Sequence, residues 1–187
     1  MSAELILASL SPRRQELLTQ MGLRFQVVPP RAEENLQGEA GQVVVALARR
    51  KALSVAGSHP LAYVLGADTL VSIAGQVLGK PRDLDAAAAM LRELSGAWHE
   101  VHTGVCLVAP GGEERTALVT TQVLFARLSE GEISAYCQSG EPLGKAGAYA
   151  IQGLGGMYVE QIRGSYTNVV GLPTSQVRRM LKETNYF

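Results

Sequence analysis

Two hydroxyls and two guanidinium groups lie close together near the amino terminus. The segment at positions 9–14 reads Ser-Leu-Ser-Pro-Arg-Arg and separates a short apolar run from a helix-like apolar stripe. Backbone N–H groups at the start of a helix bind anions, and an arginine fork matches phosphate oxygens. Ser9, Ser11, Arg13 and Arg14 therefore form either a phosphate site or an ordinary serine-capped helix with solvated arginines. The pattern alone leaves both open.

Lys51 is a cation on the apolar face of a predicted helix. It follows Val44 by seven residues and Leu47 by four, and it precedes Val55 by four. These spacings place all four side chains on one stripe. The ammonium group either extends along the apolar surface to water, which the local pattern favours, or reaches a cleft that contains an anion.

Asp68 follows a seven-residue apolar run, 61–67, and precedes Thr69. We expect that run to form a buried strand that ends at Asp68, with a further short strand after it. Ligands and catalytic groups gather at the carboxyl ends of strands in α/β sheets. A carboxylate there can act as a metal ligand or a general base. A role as a turn residue or helix cap is the weaker alternative.

Further charged residues allow two interpretations each. Lys80 and Arg82 come just before a predicted helix cap at Asp83, so they contact phosphate or lie in an exposed loop. Glu33 and Glu34 are adjacent carboxylates that could bind a hard cation, although the local pattern favours simple solvation.

The segment 144–156 contains five glycines but matches neither a Walker A motif nor a dinucleotide-binding fingerprint. Its backbone could approach a ligand closely, with Gln152 contacting the edge of a base. Alternatively, the glycines only permit a tight connection. His99 and His102 lack the spacing of a zinc site, and no Ser/His/Asp set is apparent, so we interpret them as structural or, at most, as lining a pocket.

Composition limits the classes of function. Lys plus Arg equals Asp plus Glu at 17 each, so bulk charge does not predict nucleic-acid binding. Two cysteines without C-x-x-C spacing predict buried thiols in a reducing compartment. No signal peptide and no apolar run of about 18 residues is apparent, so we expect a cytoplasmic protein without a membrane segment.

The elements that would position these residues alternate along the chain. Apolar periodicity and turn signals predict a mixed-sheet α/β protein with residues 1–187 in a single domain. The expected strands are 5–8, 25–28, 61–67, 71–73, 76–78, 99–108, 117–126 and 157–162. The expected helices are 12–21, 41–56, 83–94, 129–138 and 173–182.

These segments together resemble the Maf family of nucleotide pyrophosphatases nearly from end to end. Many segments in one order are far more specific than any single one. The matching positions are 9–14, Glu34, 47–52, 66–69, 79–83, 140–156, 164–166 and 170–173. Two departures are Leu10, where many members have Gly, and Gly79, where some have Glu.

The resemblance implies a fold similar to that of the inosine triphosphate pyrophosphatases, elongated, with two lobes around a central cleft, and a homodimer. It implies hydrolysis of a nucleoside triphosphate to its monophosphate and pyrophosphate with Mg²⁺ or Mn²⁺. Beside the hydroxyls and arginines of positions 9–14, the implied substrate contacts include Lys51, Thr69, Lys80 and Gln152.

Chemistry then suggests roles for the implied residues. Water attacks the α-phosphorus and pyrophosphate leaves. Asp68 would act as general base and, with Glu34, would hold the metal, while Arg14, Lys51 and Lys80 bind the phosphates.

Arg13, Thr69 and Gln152 resemble the branch of the family that favours dTTP and UTP over 7-methyl-GTP. The neutral Gln152 amide can pair with a uracil or thymine edge. A nucleotide-sensing regulator of cell division is a competing prediction, and a phosphomonoesterase or kinase-like protein is a weaker one.

Overall fold

The structure is a computed structural model that describes residues 4–32 and 36–187. Seven strands and six helices lie within these ranges. The strands are β1 Leu5–Ala8, β2 Gln26–Val27, β3 Tyr63–Ile73, β4 Gln76–Leu78, β5 Trp98–Val108, β6 Glu114–Phe125 and β7 Val159–Arg163. The helices are α1 Pro12–Gln20, α2 Ala40–Ala56, α3 Leu84–Leu94, α4 Glu130–Gln138, α5 Tyr166–Val170 and α6 Thr174–Glu183.

The strands form one mixed sheet. Its order is β2-β1-β3-β5-β6-β7, and β4 pairs with β3 outside this path. Strand β1 is parallel to both β2 and β3, with Ala8 opposite Gly66, whereas β4 is antiparallel to β3 and β7 to β6. The predicted mixed α/β fold is therefore confirmed.

The chain forms two compact units. Of the described residues, the first contains those up to Asp68 together with 103–119 and 171–187, and the second contains 69–102 and 120–170. Strands β3, β5 and β6 contribute residues to both units because the boundaries fall inside them. Each unit has its own buried apolar cluster. The first includes Ile6, Ala52, Val64 and Cys106, and the second includes Leu91, Phe125, Tyr136 and Tyr149.

Two glycines bring helix α2 directly onto the strands of the first unit. A Cβ atom built at Gly66 in β3 would collide with the carbonyl oxygen of Ala48, and one at Gly104 in β5 would collide with that of Val44. Only a residue without a side chain fits such a close backbone approach. The position of α2 over β3 and β5 therefore depends on these glycines.

Strand β3 differs from its predicted form. It is one continuous strand of 11 residues, so the prediction that a strand ends at Asp68 is wrong. Asp68 interrupts the apolar pattern of the sequence, but a backbone can stay extended through a carboxylate that has a partner. The following Ala74-Gly75 turn has positive φ at both residues, 48° and 82°. This confirms the predicted tight hairpin with β4.

Local capping chemistry explains several helix boundaries. The Asp83 side chain accepts a hydrogen bond from Ala86 N at 2.7 Å, which confirms the predicted cap of α3. Ser129 caps α4 as predicted, and with Glu132 it forms a reciprocal capping box. Ser11 occupies the N-cap position of α1, but its side chain makes no capping hydrogen bond.

The remaining boundaries shift by a few residues. Strand β6 begins at Glu114 instead of 117, because its first three residues are polar and exposed and carry no apolar signal. The short helix α5 was not predicted. The glycine-rich segment contains two 3₁₀ turns, Ala146–Ala148 and Leu154–Tyr158, and the last strand starts after them at Val159.

The buried sulfur and imidazole groups belong to the interior of the protein. Cys106 and Cys137 are buried free thiols, as predicted, and burial raises the pKa of both. His99 Nε2 lies 2.8 Å from the Tyr149 hydroxyl, and burial lowers the pKa of His99 to about 4.

None of the helices in residues 4–32 and 36–187 has the length and apolarity that crossing a membrane requires.

Candidate active site

Ser9 lies immediately beyond the carboxyl end of β1 and is only 5% exposed. Its Oγ accepts hydrogen bonds from the backbone N–H of Ser11 at 3.2 Å and from Arg14 Nη1 at 3.1 Å. The same hydroxyl still has a proton to donate. Ser9 therefore organises the first turn of α1 and can also donate to an acceptor such as a phosphate oxygen.

Arg14 is held in a fixed orientation within the first unit. Its Nε donates to the carbonyl oxygen of Gly171 at 2.9 Å, while Nη1 donates to Ser9. These bonds join the start of α1 to the segment that precedes α6. A guanidinium that is oriented before its ligand arrives loses less entropy on binding an anion.

Arg13 is half-buried, and its guanidinium is less completely hydrogen-bonded than that of Arg14. Its Nε is buried and has no hydrogen-bond partner among the described residues. Burial lowers the pKa of the Arg13 guanidinium, although an arginine stays charged at neutral pH. An anion bound at this position would satisfy the buried N–H group. Ser11, two residues before Arg13, is also half-buried.

Lys51 and Asp68 form a buried ion pair. Lys51 Nζ donates to Asp68 Oδ1, and the two side chains are 9% and 12% exposed, respectively. The interpretation that Lys51 extends to water is therefore wrong. Val44, Leu47 and Val55, which share its stripe, are all buried against the sheet, so the lysine points inward with them.

The packing of α2 explains why these two side chains meet. Gly66 and Asp68 are two residues apart in β3, so they project from the same face of the sheet. The helix contacts Gly66 through Ala48 and Ala52, which lie on either side of Lys51 in the sequence. The close approach at Gly66 thus sets Lys51 next to the following residue on that face.

Asp68 lies at the carboxyl end of β1 although it is inside β3. Ala8, the last residue of β1, is paired with Gly66, so Asp68 is two residues past the end of that pairing. Ser9 follows Ala8 at the same edge. The expectation that ligand-binding groups gather where parallel strands end therefore applies to β1 and not to β3.

The other predicted substrate residues belong to the second unit. Thr69 is half-buried, whereas Lys80 and Gln152 are exposed. Gly147 N donates to the carbonyl oxygen of Gly79 at 3.1 Å, which joins the glycine-rich segment to the residue before Lys80. Arg82, also considered for phosphate, is highly exposed and pairs with Asp83.

Glu141 and Tyr136 organise the glycine-rich segment, and sequence reasoning gave them no role. Glu141 accepts from the backbone N–H groups of Leu154 at 2.9 Å and Gly155 at 3.0 Å. The Tyr136 hydroxyl donates to Glu141 Oε1 at 2.7 Å and accepts from Ala150 N at 3.2 Å.

These contacts explain two of the glycines. A Cβ at Gly153 would collide with the Glu141 carboxylate, and one at Gly155 would lie 2.5 Å from the Tyr136 hydroxyl. At these positions the tight-connection interpretation is therefore correct, because the protein's own side chains fill the space. The sequence signal that could have predicted this role is the position of Glu141, a carboxylate shortly before a run of closely spaced glycines.

The predicted metal ligand Glu34 lies outside the described residues. Within the ranges 4–32 and 36–187, no group of three or more His, Cys, Asp or Glu side chains could by itself hold a metal ion. Asp68 is thus the one predicted metal ligand whose surroundings the structure describes.

Fold and geometry together define a mixed α/β protein with arginines, a serine and a buried carboxylate at one edge of its sheet. The chain belongs to the family of Maf-like proteins, whose model matches residues 4–184. The predicted family is therefore confirmed.

Relatives over the full length carry a common name. A protein of Anaeromyxobacter dehalogenans is 50% identical, with 100% of this chain and 96% of the relative covered, and is named dTTP/UTP pyrophosphatase. Proteins with the same name from Myxococcus xanthus and Pelotomaculum thermopropionicum are 52% and 46% identical. They cover 95% and 98% of this chain, and 91% and 97% of their own length is matched.

Solved structures give weaker matches. A dITP/XTP pyrophosphatase from Mycobacterium abscessus has a TM-score of 0.46 at 16% identity and covers 96% of this chain and 93% of its own. The Ham1 protein of Staphylococcus aureus has a TM-score of 0.47 at 14% identity, over 66% of this chain and 72% of its own. Likenesses at this level carry no argument about the chain.

Proposed function

We propose that the protein is a nucleoside triphosphate pyrophosphatase that converts dTTP and UTP to their monophosphates and pyrophosphate. The observation that carries this proposal is the buried Lys51–Asp68 pair. Burial of two charges costs desolvation free energy, and such buried charged groups cluster at functional sites. The names of the full-length relatives support the same substrates.

The cationic groups of the first unit bind the triphosphate in this proposal. Arg14 is oriented in advance by Ser9 and Gly171, and Arg13 carries a buried N–H group that needs an acceptor. Charge builds up on the leaving pyrophosphate during the reaction. Fixed guanidinium groups that meet this charge stabilise the transition state more than the ground state. Lys80, as implied by the family resemblance, is proposed as a further phosphate-binding cation.

Asp68 acts as the general base. One carboxylate oxygen accepts from Lys51, and the other takes a proton from the attacking water. The water oxygen forms a bond to the α-phosphorus as the bond from phosphorus to the bridging oxygen breaks. The electron pair of that bond leaves with pyrophosphate, and no covalent enzyme intermediate forms. Lys51 holds the carboxylate in place throughout.

The residues fit a divalent cation such as Mg²⁺ or Mn²⁺. Magnesium is commonly held by one or two carboxylates together with substrate phosphates, so a dedicated cluster of protein ligands is not required. Asp68 supplies such a carboxylate in the described part of the chain, and Glu34 is proposed as the second. When bound, the cation neutralises phosphate charge and polarises the bond that breaks.

Gln152 selects the base in this proposal. Its exposed amide offers two donors and an acceptor, which match the two carbonyls and one N–H of a uracil or thymine edge. Arg13 and Thr69 belong to the same branch-specific set. A homodimer and a cytoplasmic location, both expected from the sequence, remain predictions.

The first test is the identity of the products. Incubation with dTTP is expected to release thymidine monophosphate and pyrophosphate in equal amounts, and a chelator should abolish the reaction until Mg²⁺ or Mn²⁺ is added back. Ion-exchange chromatography of the products measures both. Release of orthophosphate alone, without added inorganic pyrophosphatase, would contradict the proposal. Tight binding of dTTP with no product would favour the nucleotide-sensing alternative.

The second test concerns the base. The change Gln152→Glu is expected to lower kcat/KM for dTTP about 5- to 100-fold, since an acceptor-only carboxylate leaves a carbonyl edge unpaired. Specificity constants for dTTP, UTP, CTP and 7-methyl-GTP measure the effect. Gln161→Glu in β7, which adds the same charge at another exposed glutamine, is the matched control. A wild-type preference for 7-methyl-GTP would refute the base assignment but not the pyrophosphatase chemistry.

A further inference from the structure

We propose that Glu141 and Tyr136 are positioning residues for base selection, because they hold the loop 150–155 in the conformation that presents Gln152. This inference rests on the proposed role of Gln152 as the residue that contacts the base. It gives a function to a half-buried carboxylate and a buried tyrosine that the hydrolytic mechanism does not use.

Hydrogen bonds hold the backbone on both sides of Gln152 in the sequence. Two residues before it, Ala150 N donates to the Tyr136 hydroxyl at 3.2 Å. Two and three residues after it, Leu154 N and Gly155 N donate to the two Glu141 oxygens at 2.9 Å and 3.0 Å. The backbone on each side of Gln152 is therefore fixed to the same pair of side chains.

The two anchoring side chains are also bound to one another. The Tyr136 hydroxyl donates to Glu141 Oε1 at 2.7 Å, so a displacement of either group breaks bonds at both ends of the loop. Within the loop, Gly153 N donates to the carbonyl oxygen of Ala150 at 3.1 Å and closes a turn across Gln152. The loop thus has one internal bond and three bonds to the anchor.

The charge of Glu141 strengthens the anchor. Burial disfavours the carboxylate, but hydrogen bonds from Gly155 N–H, the Tyr136 hydroxyl and Leu154 N–H together lower the pKa of Glu141. It is ionised at neutral pH, and hydrogen bonds to an ionised acceptor are shorter and stronger than neutral ones. An amide in its place would offer one acceptor oxygen where the carboxylate offers two.

The Tyr136 side of the anchor lies on a well-packed and capped helix of the second unit. Tyr136 is buried on α4, and its ring packs edge to face against Tyr158 with centroids 5.5 Å apart. Helix α4 is fixed at its start by the capping box of Ser129 and Glu132. A site on a supported element holds its geometry better than a loop alone.

Discrimination between bases tests this inference. The variants are Glu141→Gln, Tyr136→Phe and Gln152→Ala, each alone, and the double variant Glu141→Gln/Gln152→Ala. The readout is the ratio of kcat/KM for dTTP to that for CTP. Each single variant is expected to lower this ratio about tenfold, the effect of one ordinary hydrogen bond, with kcat for dTTP less affected than KM. Glu160→Gln and Tyr166→Phe, at more exposed positions, are the matched controls.

The double variant separates a positioning role from a general one. If Glu141 acts through Gln152, the ratio in the double variant equals that in Gln152→Ala, because one route to discrimination is lost in both. Suppose that Gln152→Ala lowers the ratio but that Glu141→Gln and Tyr136→Phe leave it unchanged. That result would overturn the inference and keep the proposed function. A ratio that Gln152→Ala leaves unchanged would overturn the role of Gln152 and the inference with it. Tyr136→Phe keeps the buried ring, so it provides the result if Glu141→Gln fails to fold.

Discussion

Replacing Asp68 with Asn is expected to lower turnover of dTTP by about two to four orders of magnitude. The amide occupies nearly the same volume as the carboxylate but cannot accept the proton of the attacking water. It also loses the negative charge that fits a divalent cation. Single-turnover measurements with saturating dTTP report this step directly, since they do not depend on product release.

The control must account for folding, because the Asp68→Asn change would leave the Lys51 ammonium without its counter-charge. Turnover should be expressed per folded molecule, with the folded fraction measured by circular dichroism under the assay conditions. Asp85→Asn removes an exposed carboxylate in the first turn of α3 and should leave turnover unchanged. Normal turnover in folded Asp68→Asn would show that another group is the base.

The second large effect concerns stability. Lys51→Met and Asp68→Asn should each lower the free energy of unfolding by about 3–5 kcal/mol, because each leaves one buried charge without its partner. The double variant buries neither charge and should be more stable than either single variant. Urea unfolding of the four proteins gives the coupling free energy of the pair.

An exposed ion pair serves as the comparison for this cycle. Arg92 and Glu130 form a bidentate pair whose side chains are 52% and 70% exposed, so Arg92→Met should change stability little. If Lys51→Met instead leaves stability unchanged or raises it, the ammonium does not stabilise Asp68 in solution.

Local patterns predicted the elements whose causes are local. The stripe of Val44, Leu47 and Val55 predicted helix α2 to within one residue, since every third or fourth position of a helix lies on one face. The Ala74-Gly75 hairpin and the Asp83 cap were also predictable, because turn and cap chemistry involves only a few neighbouring residues. Such signals do not depend on the rest of the chain.

The pairing of Lys51 with Asp68 could not be predicted in the same way. Lysine on an apolar stripe usually extends to water, and only the contact of α2 with Gly66 shows which residue the ammonium meets. The interruption of the apolar pattern at Asp68 likewise suggested the end of a strand, because the sequence does not show that this carboxylate has a buried partner. Its partner comes from 17 residues earlier in the chain, and no local pattern reports such a contact.

The anchoring by Glu141 was also outside the reach of local patterns. Its partners, Leu154 and Gly155, are 13 and 14 residues away, and the interaction uses backbone groups that every residue has. The glycines of this segment suggested close approach to a ligand. Two of them are instead explained by Glu141 and Tyr136, which occupy the space that a Cβ would need.

The close approach at Gly66 affects how mutational scans of this protein should be interpreted. Residue 66 has no functional group, yet even a methyl group there must push α2 away from β3, and the Lys51 ammonium travels with the helix. Substitutions at Gly66 would then be scored alongside those at Asp68 as losses of activity. Sensitivity to substitution at this position reports the distance between α2 and β3. A ranking of positions by sensitivity alone would therefore wrongly identify Gly66 as a catalytic residue.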